Sequence, residues 1–417
     1  MARGRRRRRA RHGGVVLATA LMVTAAVMAV ALAIVFALPQ GPGGDVRTSV
    51  RQSRPAADGD VARSAVPAPG DSMSARVERI VDGMDMSQRV GQLVMAPLFA
   101  GDAPSALRHA IVDRHVGSVL LIGNWRSGVA GVRGAVDELQ SYAGADSRLI
   151  VATDQEGGQV QHLTGPGFDA MPSAVEQGAM DVERLRSSAA VWGGQLAQSG
   201  VNVDLAPVTD TVPGDRAANA PIGALDRDFG LDAGGNASHA AAFVEGMRNA
   251  GVQSSVKHYP GLGAVNGNTD FTAEGIVDTT TTSDGAEIGA FHTVIAQSKP
   301  AMVMMSLATY SRIDPDNPAA FSPTVVDGVL RGGQGFDGVV TSDSLSAAAV
   351  SGTPTDQLGV RFVEAGGDLV CIGQSAYVTP ILDGLEAKAK ADPAFADKVT
   401  RSAKRVVRLK LEMDLMR

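Results

Sequence analysis

From about residue 75 to the end of the chain, short apolar runs alternate with longer amphipathic segments. Each run is apolar almost throughout, which is typical of parallel strands that are buried on both faces. The segments between them, such as Val182 to Ser199 and Gly235 to Ala250, have the spacing expected of helices, and helical patterning continues through Val399 to Leu415. The predicted strands are Gln92 to Leu98, Ser118 to Ile122, Leu149 to Thr153, Val201 to Val208, Val252 to Val256, Met302 to Leu307, Gly338 to Thr341 and Asp368 to Ile372.

Eight strand–helix units predict an α/β protein of the (β/α)8 type, a TIM barrel, as a single catalytic domain. A doubly wound open sheet is the alternative, because buried parallel strands look alike in both architectures and periodicity does not show closure. The helical pattern near the C-terminus leaves no length for a second large domain.

A basic segment, residues 1–12, precedes an apolar segment, residues 13–38, in which Val15 to Leu38 contains no charged residue. A helix of these 24 residues would be roughly 36 Å long, enough to cross a hydrocarbon core of about 30 Å. The pattern therefore predicts a transmembrane signal anchor. The spacing of Ala31, Ala33 and Ala37 leaves cleavage as a signal peptide open.

The basic segment predicts the orientation of the chain, because positive residues flanking a membrane helix stay in the cytoplasm. We therefore expect a single-pass protein of the cell membrane with an extracytoplasmic catalytic domain, or a secreted protein if the anchor is cleaved. Residues 39–74 are rich in Gly, Pro, Ala and Ser and predict a disordered linker. The catalytic barrel is then expected over residues 75–417.

Charge and cysteine content narrow the function classes. Residues 1–12 hold seven of the 38 Lys and Arg and no acidic residue, so the remainder carries a net charge of about −13. An acidic body excludes nucleic acid as the expected partner, because nucleic-acid binding depends on clustered cations. Cys371 is the one cysteine of the sequence, so an intramolecular disulfide is excluded and a large core must provide the stability.

Polar side chains lie at the ends of several predicted strands. Asp154 ends the third run, Asp210 lies just beyond the fourth, Lys257 and His258 end the fifth, and Asp343 ends the seventh. Because the carboxyl ends of barrel strands share one rim, these groups predict an active site there. Some of these groups also have a simpler interpretation. Asp343 could be a helix N-cap, and Lys257 and His258 could be solvated residues of a turn.

Six motifs occur in one order: Asp154 to Gly158, Ala206 to Asp210, Arg227 to Gly230, Lys257 to Gly263, Asp314 to Ala319 and Thr341 to Leu345. Together they resemble glycoside hydrolase family 3, in its single-domain β-N-acetylhexosaminidase branch, over about residues 80 to 412. The resemblance implies a (β/α)8 barrel that acts on a carbohydrate partner. The expected reaction is exo-acting hydrolysis of β-linked N-acetylglucosaminides, including peptidoglycan fragments, with retention. It implies neither a cofactor nor a metal.

Site residues follow from the same resemblance. Asp343 matches the catalytic nucleophile, since a retaining mechanism requires an ionised carboxylate aimed at the anomeric carbon. His162 falls where an arginine of the family often contacts the ligand. The residues that match sugar-binding positions are Asp154, Arg227, Lys257 and His258.

The sequence departs from the family at the acid/base. Where the branch carries Asp-Ser-His, this chain has Asn268-Thr269-Asp270. Asp270 occupies the position of the histidine and is the first candidate for acid/base, which requires its pKa to be raised by burial or a nearby carboxylate. Glu274 is the second candidate. The alternative for Asp270 is an exposed loop residue in an Asx-turn.

Three functions remain open from the sequence. The first is an active β-N-acetylglucosaminidase that uses Asp343 and Asp270. The second is a catalytically impaired, membrane-anchored binder of wall sugars, because the family histidine is missing. The third is a hydrolase of another β-glycoside, such as a glucoside.

Overall fold

The computed structural model describes residues 72–417, so the predicted membrane segment and nearly all of the predicted linker lie outside the described residues. Among the described residues, eight parallel strands form one sheet. They are β1 Val94–Phe99, β2 Ser118–Ile122, β3 Ile150–Thr153, β4 Val203–Asp204, β5 Gln253–Tyr259, β6 Met302–Met305, β7 Val339–Ser342 and β8 Val370–Cys371.

Strand pairing rolls the sheet into a nearly closed barrel. Neighbouring strands pair in the order β7–β6–β5–β4–β3–β2–β1–β8. A parallel bridge between Thr341 and Leu369 joins the two ends of this order. The arrangement is consistent with the predicted TIM barrel and differs from the alternative open sheet, whose edge strands would not meet.

The strands lie within or next to the predicted apolar runs, and the fifth extends furthest beyond its run. The prediction ended it at Val256, whereas β5 continues to Tyr259. Lys257 and His258 therefore belong to the strand itself and do not follow it. Apolar character could not show this, because both polar side chains lie at the rim end of the strand.

Helices cover the outside of the barrel between successive strands. The helices Val182–Gln198 and Ala233–Asn249 confirm the two helices predicted between strands, and the helix Pro393–Glu412 begins earlier than predicted because Asp392 caps its first turn. The α-helices are α1 Met73–Asp82, α2 Met86–Gln92, α3 Arg108–Val112, α4 Gly128–Tyr142, α5 Ala174–Gly178, α6 Val182–Gln198, α7 Ala233–Asn249, α8 Ala286–Ser298, α9 Thr355–Glu364, α10 Val378–Ala391 and α11 Pro393–Glu412, and Thr324–Gly333 is a π-helix between β6 and β7.

The first helix begins two residues before the predicted start of the barrel domain. Ser72 caps it, because its side-chain oxygen accepts a hydrogen bond from the backbone N–H of Ala75 at 3.2 Å. Across residues 72–417, no helix combines the length and the apolar character that crossing a membrane requires.

Two apolar layers hold the barrel together. An outer layer packs the sheet against the helices, and an inner layer, which includes Met302 and Met304, fills the barrel. Val406 and Leu409 of α11 belong to the inner layer. Because α11 and the residues after it close the amino end of the barrel, the carboxyl end is left for the polar side chains.

Candidate active site

A cavity of about 430 Å³ lies at the carboxyl ends of the strands. This volume falls in the range of about 300–1,000 Å³ that is usual for small-ligand sites. The cavity brings together most of the site residues predicted from sequence: Asp154, His162, Arg227, Lys257, His258, Asp270 and Asp343. Side chains separated by nearly 190 positions in sequence thus share one pocket, as the barrel prediction required.

An irregularity in β5 brings two successive side chains into this cavity. The pairing of β5 with β6 shifts register between Val256 and Tyr259. Regular strands direct neighbouring side chains to opposite faces, and a bulge can change that direction. Lys257 and His258 lie within the irregular stretch and both line the cavity.

Lys257 is the centre of a buried ion-pair network. Its ammonium contacts the Asp154 carboxylate and lies 2.6 Å from Oε1 of Glu156. Arg227 donates two hydrogen bonds to Glu156, from Nε to Oε2 at 2.8 Å and from Nη2 to Oε1 at 2.7 Å. This paired geometry fixes the guanidinium plane as well as its position.

The network keeps Lys257 and Glu156 charged in spite of burial. Burial alone would lower the pKa of Lys257, but the carboxylates of Asp154 and Glu156 raise it above its ordinary value. Burial opposes ionisation of Glu156, yet Arg227 and Lys257 hold its pKa well below the usual range. The wall of the cavity therefore presents fixed donors and acceptors, which suit a ligand rich in hydroxyl groups.

Hydrogen bonds to Asp210 fix the position of His258. Oδ2 of Asp210 lies 2.7 Å from Nδ1 of His258, and its Oδ1 accepts backbone hydrogen bonds from His258 and Leu262, each at 3.0 Å. With Asp210 accepting the Nδ1 proton, Nε2 of His258 faces Arg227 at 3.5 Å. Asp210 is itself 1% exposed, so it orients the histidine and does not line the cavity.

Asp343 lies at the end of β7 and lines the cavity. Its Oδ1 accepts a hydrogen bond from the backbone N–H of Ser344 at 2.8 Å. The next helical turn, Ala348–Val350, has Ala347 at its N-cap position. The alternative interpretation of Asp343 as a helix N-cap is therefore wrong.

Asp270 reaches the same cavity from the loop after β5. Backbone hydrogen bonds from Ala348 to the carbonyl of Asp270 and from Ala349 to that of Thr269, at 3.2 and 3.0 Å, tie this loop to the segment after β7. The Asx-turn weighed from sequence is present, since Oδ1 of Asn268 accepts from the N–H of Asp270 at 3.0 Å. The turn and a position in the cavity are therefore compatible.

The pKa of Asp270 is raised to about 6, by burial of its carboxyl and then by the negative charge of Asp343. As a whole residue Asp270 is exposed, as its alternative interpretation held, and it lines the cavity as well. A carboxyl group with this pKa is protonated in roughly one molecule in ten at pH 7, far more often than an ordinary aspartate. It can therefore donate a proton and take it back.

The remaining two candidates differ in position. His162 lines the cavity, with Nε2 4.0 Å from Oδ2 of Asp154. Glu274 is exposed and does not line the cavity, and its backbone N–H donates to the hydroxyl of Thr272 at 2.9 Å. The geometry therefore favours Asp270 over Glu274 as the group close to Asp343. Within residues 72–417, no cluster of His, Cys, Asp or Glu side chains is arranged to hold a metal ion.

Two residues of the site were given no specific role from the sequence, although Asp210 was among the polar groups expected at the rim. Glu156 anchors both Lys257 and Arg227, and Asp210 anchors His258. The only signal available was their place in motifs next to predicted strand ends. Along the chain, Glu156 lies 71 positions from Arg227 and Asp210 lies 48 positions from His258, so local pattern could not pair them.

The sequence profile of the Glycosyl hydrolase family 3 N terminal domain matches residues 85–409. The chain therefore belongs to glycosyl hydrolase family 3, and it is a glycoside hydrolase acting on O-glycosyl bonds.

Relatives with known names or structures agree with this family. The chain is 31% identical to the beta-hexosaminidase LpqI of Mycobacterium tuberculosis over 93% of this chain and 97% of that protein. Among solved structures, a beta-N-acetylhexosaminidase from Beutenbergia cavernae is 45% identical, with a TM-score of 0.76 over 78% of this chain and 98% of the other. A family 3 beta-N-acetylglucosaminidase from a Paenibacillus species is 27% identical, with a TM-score of 0.70 over 80% of this chain and 63% of the other.

Proposed function

We propose that this protein is a retaining, exo-acting β-N-acetylhexosaminidase that releases terminal β-linked N-acetylglucosamine. The observation that carries the proposal is one cavity in which the nucleophile candidate Asp343 and the acid/base candidate Asp270 lie beside the ion-pair network of Lys257. The similarity to a beta-N-acetylhexosaminidase over most of both chains supports the choice of sugar.

In the first step, a carboxylate oxygen of Asp343 attacks the anomeric carbon and forms an ester with it. The glycosidic bond breaks, and the departing oxygen takes the proton of Asp270. In the second step, Asp270 removes a proton from water, whose oxygen attacks the anomeric carbon and releases Asp343. Each carboxyl group thus returns to its starting state, and the configuration at the anomeric carbon is retained.

The remaining polar groups serve the bound sugar. Asp154 can accept hydrogen bonds from sugar hydroxyls, and Lys257 and Arg227 can donate to ring, hydroxyl or acetamido oxygens. With its Nδ1 proton held by Asp210, His258 can accept a hydrogen bond from a sugar hydroxyl at Nε2. His162, which lines the same cavity, adds a further contact. Because Arg227 and His258 are already fixed by Glu156 and Asp210, little ordering is required when the sugar binds.

The test uses p-nitrophenyl β-N-acetylglucosaminide and the variant Asp343→Asn. We expect the wild type to release p-nitrophenol and the variant to lose nearly all turnover while its circular dichroism spectrum and melting temperature stay close to those of the wild type. The variant Asp316→Asn, an exposed acid outside the cavity, is the control and should keep its rate. Unchanged turnover of Asp343→Asn would reject the nucleophile assignment.

An impaired sugar binder is the second candidate, favoured by the aspartate at the usual position of the histidine. Such a protein would bind N-acetylglucosamine but would leave both natural disaccharides and activated aryl glycosides intact. A panel of aryl β-glycosides also tests the third possibility, because a β-glucosidase would cleave the glucoside faster than the N-acetylglucosaminide.

We further propose that peptidoglycan fragments are the natural substrate and that residues 13–38 anchor the protein with its catalytic domain outside the membrane. The basic segment before the apolar run supports this orientation. Cell fractionation and the mass of the mature N-terminus test it. An intact N-terminus in the membrane fraction supports the anchor, and an N-terminus beyond residue 38 in the medium supports cleavage and secretion.

A further inference from the structure

Beneath the sugar site lies an acid that no sequence motif assigned. Asp204 ends β4 and is 0% exposed. Its Oδ1 accepts a hydrogen bond from the backbone N–H of Gln155 at 3.0 Å. Among residues 72–417, its Oδ2 has no hydrogen-bond partner, and no lysine, arginine or histidine side chain forms an ion pair with Asp204.

The backbone group that Asp204 holds is the one between the two carboxylates of the network. Gln155 separates Asp154 from Glu156, and both of these contact Lys257. The side chain of Gln155 is also fixed, because its amide exchanges two hydrogen bonds with the backbone of Leu163, at 2.9 and 3.0 Å. Asp204 thus sets the position of the peptide that carries Asp154 to the cavity.

The group formed by Asp204 and the ion-pair network of Lys257 has more negative than positive charge if every carboxyl group is ionised. The carboxyl groups of Asp154, Glu156 and Asp204 face two cations, Lys257 and Arg227. Asp154 and Glu156 each contact a cation directly, whereas Asp204 has a single backbone donor. A buried charge without a partner is costly, so one proton is most readily placed on Asp204.

Burial and the neighbouring charged groups also favour the protonated form of Asp204. Burial raises its pKa well above the ordinary value, against the opposing effects of the Gln155 N–H and of Lys257. Asp154 and Glu156, the acidic groups that face it from the segment after β3, raise it further. Lys257 is the charged group that faces it from β5.

We propose that Asp204 is a positioning residue of the sugar site, a neutral carboxylic acid that holds the Gln155 peptide and leaves Lys257 to Asp154 and Glu156. The inference rests on the proposed sugar-binding role of Asp154. If Asp204 were ionised, it would compete with Asp154 for the lysine. In the neutral form it supplies an acceptor for the backbone without adding charge to the cavity.

The experiment compares Asp204→Asn, Asp204→Ala and the control Ser254→Ala. An asparagine keeps an acceptor oxygen and has no charge, so it should rescue the site, with kcat/KM within about threefold of the wild type and an unchanged pH profile. Alanine removes the acceptor, and the loss of about 1.4 kcal/mol for one buried hydrogen bond corresponds to a drop of about tenfold in kcat/KM, mainly through KM. Ser254 pairs with Asp204 in the neighbouring strand and is buried with an unpartnered hydroxyl, so its removal should leave the kinetics unchanged.

Protonation is measured directly by infrared difference spectroscopy. The wild type minus Asp204→Asn spectrum should contain the carbonyl band of a protonated carboxylic acid at neutral pH. Absence of that band, or a loss of activity in Asp204→Asn as large as that in Asp204→Ala, would overturn the proposal. If Asp204→Ala does not fold, the asparagine variant and the infrared band still decide the question.

The positioning role of Asp204 can be tested even if the protein lacks the proposed hydrolase activity. If the wild type does not hydrolyse any aryl N-acetylglucosaminide, calorimetric binding of N-acetylglucosamine replaces kcat/KM as the readout. The alanine variant should then bind about tenfold more weakly and the asparagine variant nearly as well as the wild type. Equal affinity in all three proteins would contradict the positioning role whether or not the protein is an active enzyme.

Discussion

Asp270 and Asp343 line the same cavity, and the charge of Asp343 is, after burial, the largest influence that raises the pKa of Asp270 to about 6. Asp343 comes from the end of β7, while Asp270 comes from a loop that two backbone hydrogen bonds join to the segment after β7. The two carboxyl groups therefore have different environments. Such a pair suits a mechanism in which one group stays ionised and the other carries a proton.

This relationship predicts the pH dependence of hydrolysis. In the proposed mechanism the acid form of Asp270 is needed in the first step, and it disappears as pH rises through the raised pKa of about 6. At pH 7 roughly one molecule in ten is still protonated, compared with about one in a thousand for an ordinary aspartate. We expect kcat/KM for a natural disaccharide to fall about tenfold per pH unit above pH 7. A flat profile between pH 5 and 8 would contradict the assignment.

Replacement of Asp270 separates substrates by their leaving groups. Asp270→Ala should lower kcat/KM for disaccharides by 10²- to 10⁴-fold, the usual contribution of a general acid. The loss should be far smaller for p-nitrophenyl or dinitrophenyl glycosides, because these leaving groups need little protonation. Glu274→Ala is the matched control from the same loop and should retain both activities. Equal losses on the two kinds of substrate in Asp270→Ala would exclude an acid role.

Removal of the charge of Glu156 should affect both stability and substrate binding. Glu156→Gln leaves the Arg227 guanidinium without a contacting carboxylate and the Lys257 ammonium with Asp154 alone. Breaking a buried ion pair typically costs about 3–5 kcal/mol, so we expect a clear decrease in the free energy of unfolding measured with urea. KM for the aryl glycoside should rise as Lys257 and Arg227 lose their fixed positions. The exposed Glu274→Gln serves as the control, and equal stability of the two variants would show that the network contributes nothing to the fold.

Sequence alone predicted the barrel and the residues that end its strands, because buried parallel strands are read as apolar runs and their carboxyl ends share one rim. Lys257 and Asp343 were found in this way. Glu156 was not singled out and Asp210 was expected at the rim without a role, since the roles of both depend on partners brought close only by folding. Asp204 was counted as part of an apolar run because a lone acid there does not disturb the pattern. Its contact with Gln155 exists only in the folded chain.

A buried lysine at the amino end of the barrel predicts a second pH effect, on stability. Lys410 of α11 is 0% exposed and donates a hydrogen bond to Oε1 of Gln92 at 2.7 Å, and burial lowers its pKa to about 7. Its pKa in the unfolded chain is about 10.4, so between these values the unfolded chain binds more protons and stability rises with pH. Below pH 7 both states are protonated, and this contribution to the pH dependence ends.

The variant Lys410→Met should therefore lack this pH dependence. From pH 7 to 9, the free energy of unfolding of the wild type should rise relative to that of the variant by roughly 1 kcal/mol per pH unit, measured by urea unfolding. Lys404→Met, on the same helix but paired with Glu78 at the surface, is the control and should follow the wild type. Parallel curves for wild type and Lys410→Met would show that Lys410 does not titrate in this range.

In the proposed mechanism, the Asp343 carboxylate becomes transiently esterified to the anomeric carbon of the sugar. Incubation with a slow fluorosugar inactivator, followed by proteolysis and mass spectrometry, tests it most directly, because the second step is too slow to release the sugar. We predict a mass increase of one fluorinated N-acetylhexosaminyl group on the peptide that contains Asp343, and none in Asp343→Asn. Folded, wild-type protein without that increase, or with it on another peptide, would contradict the account.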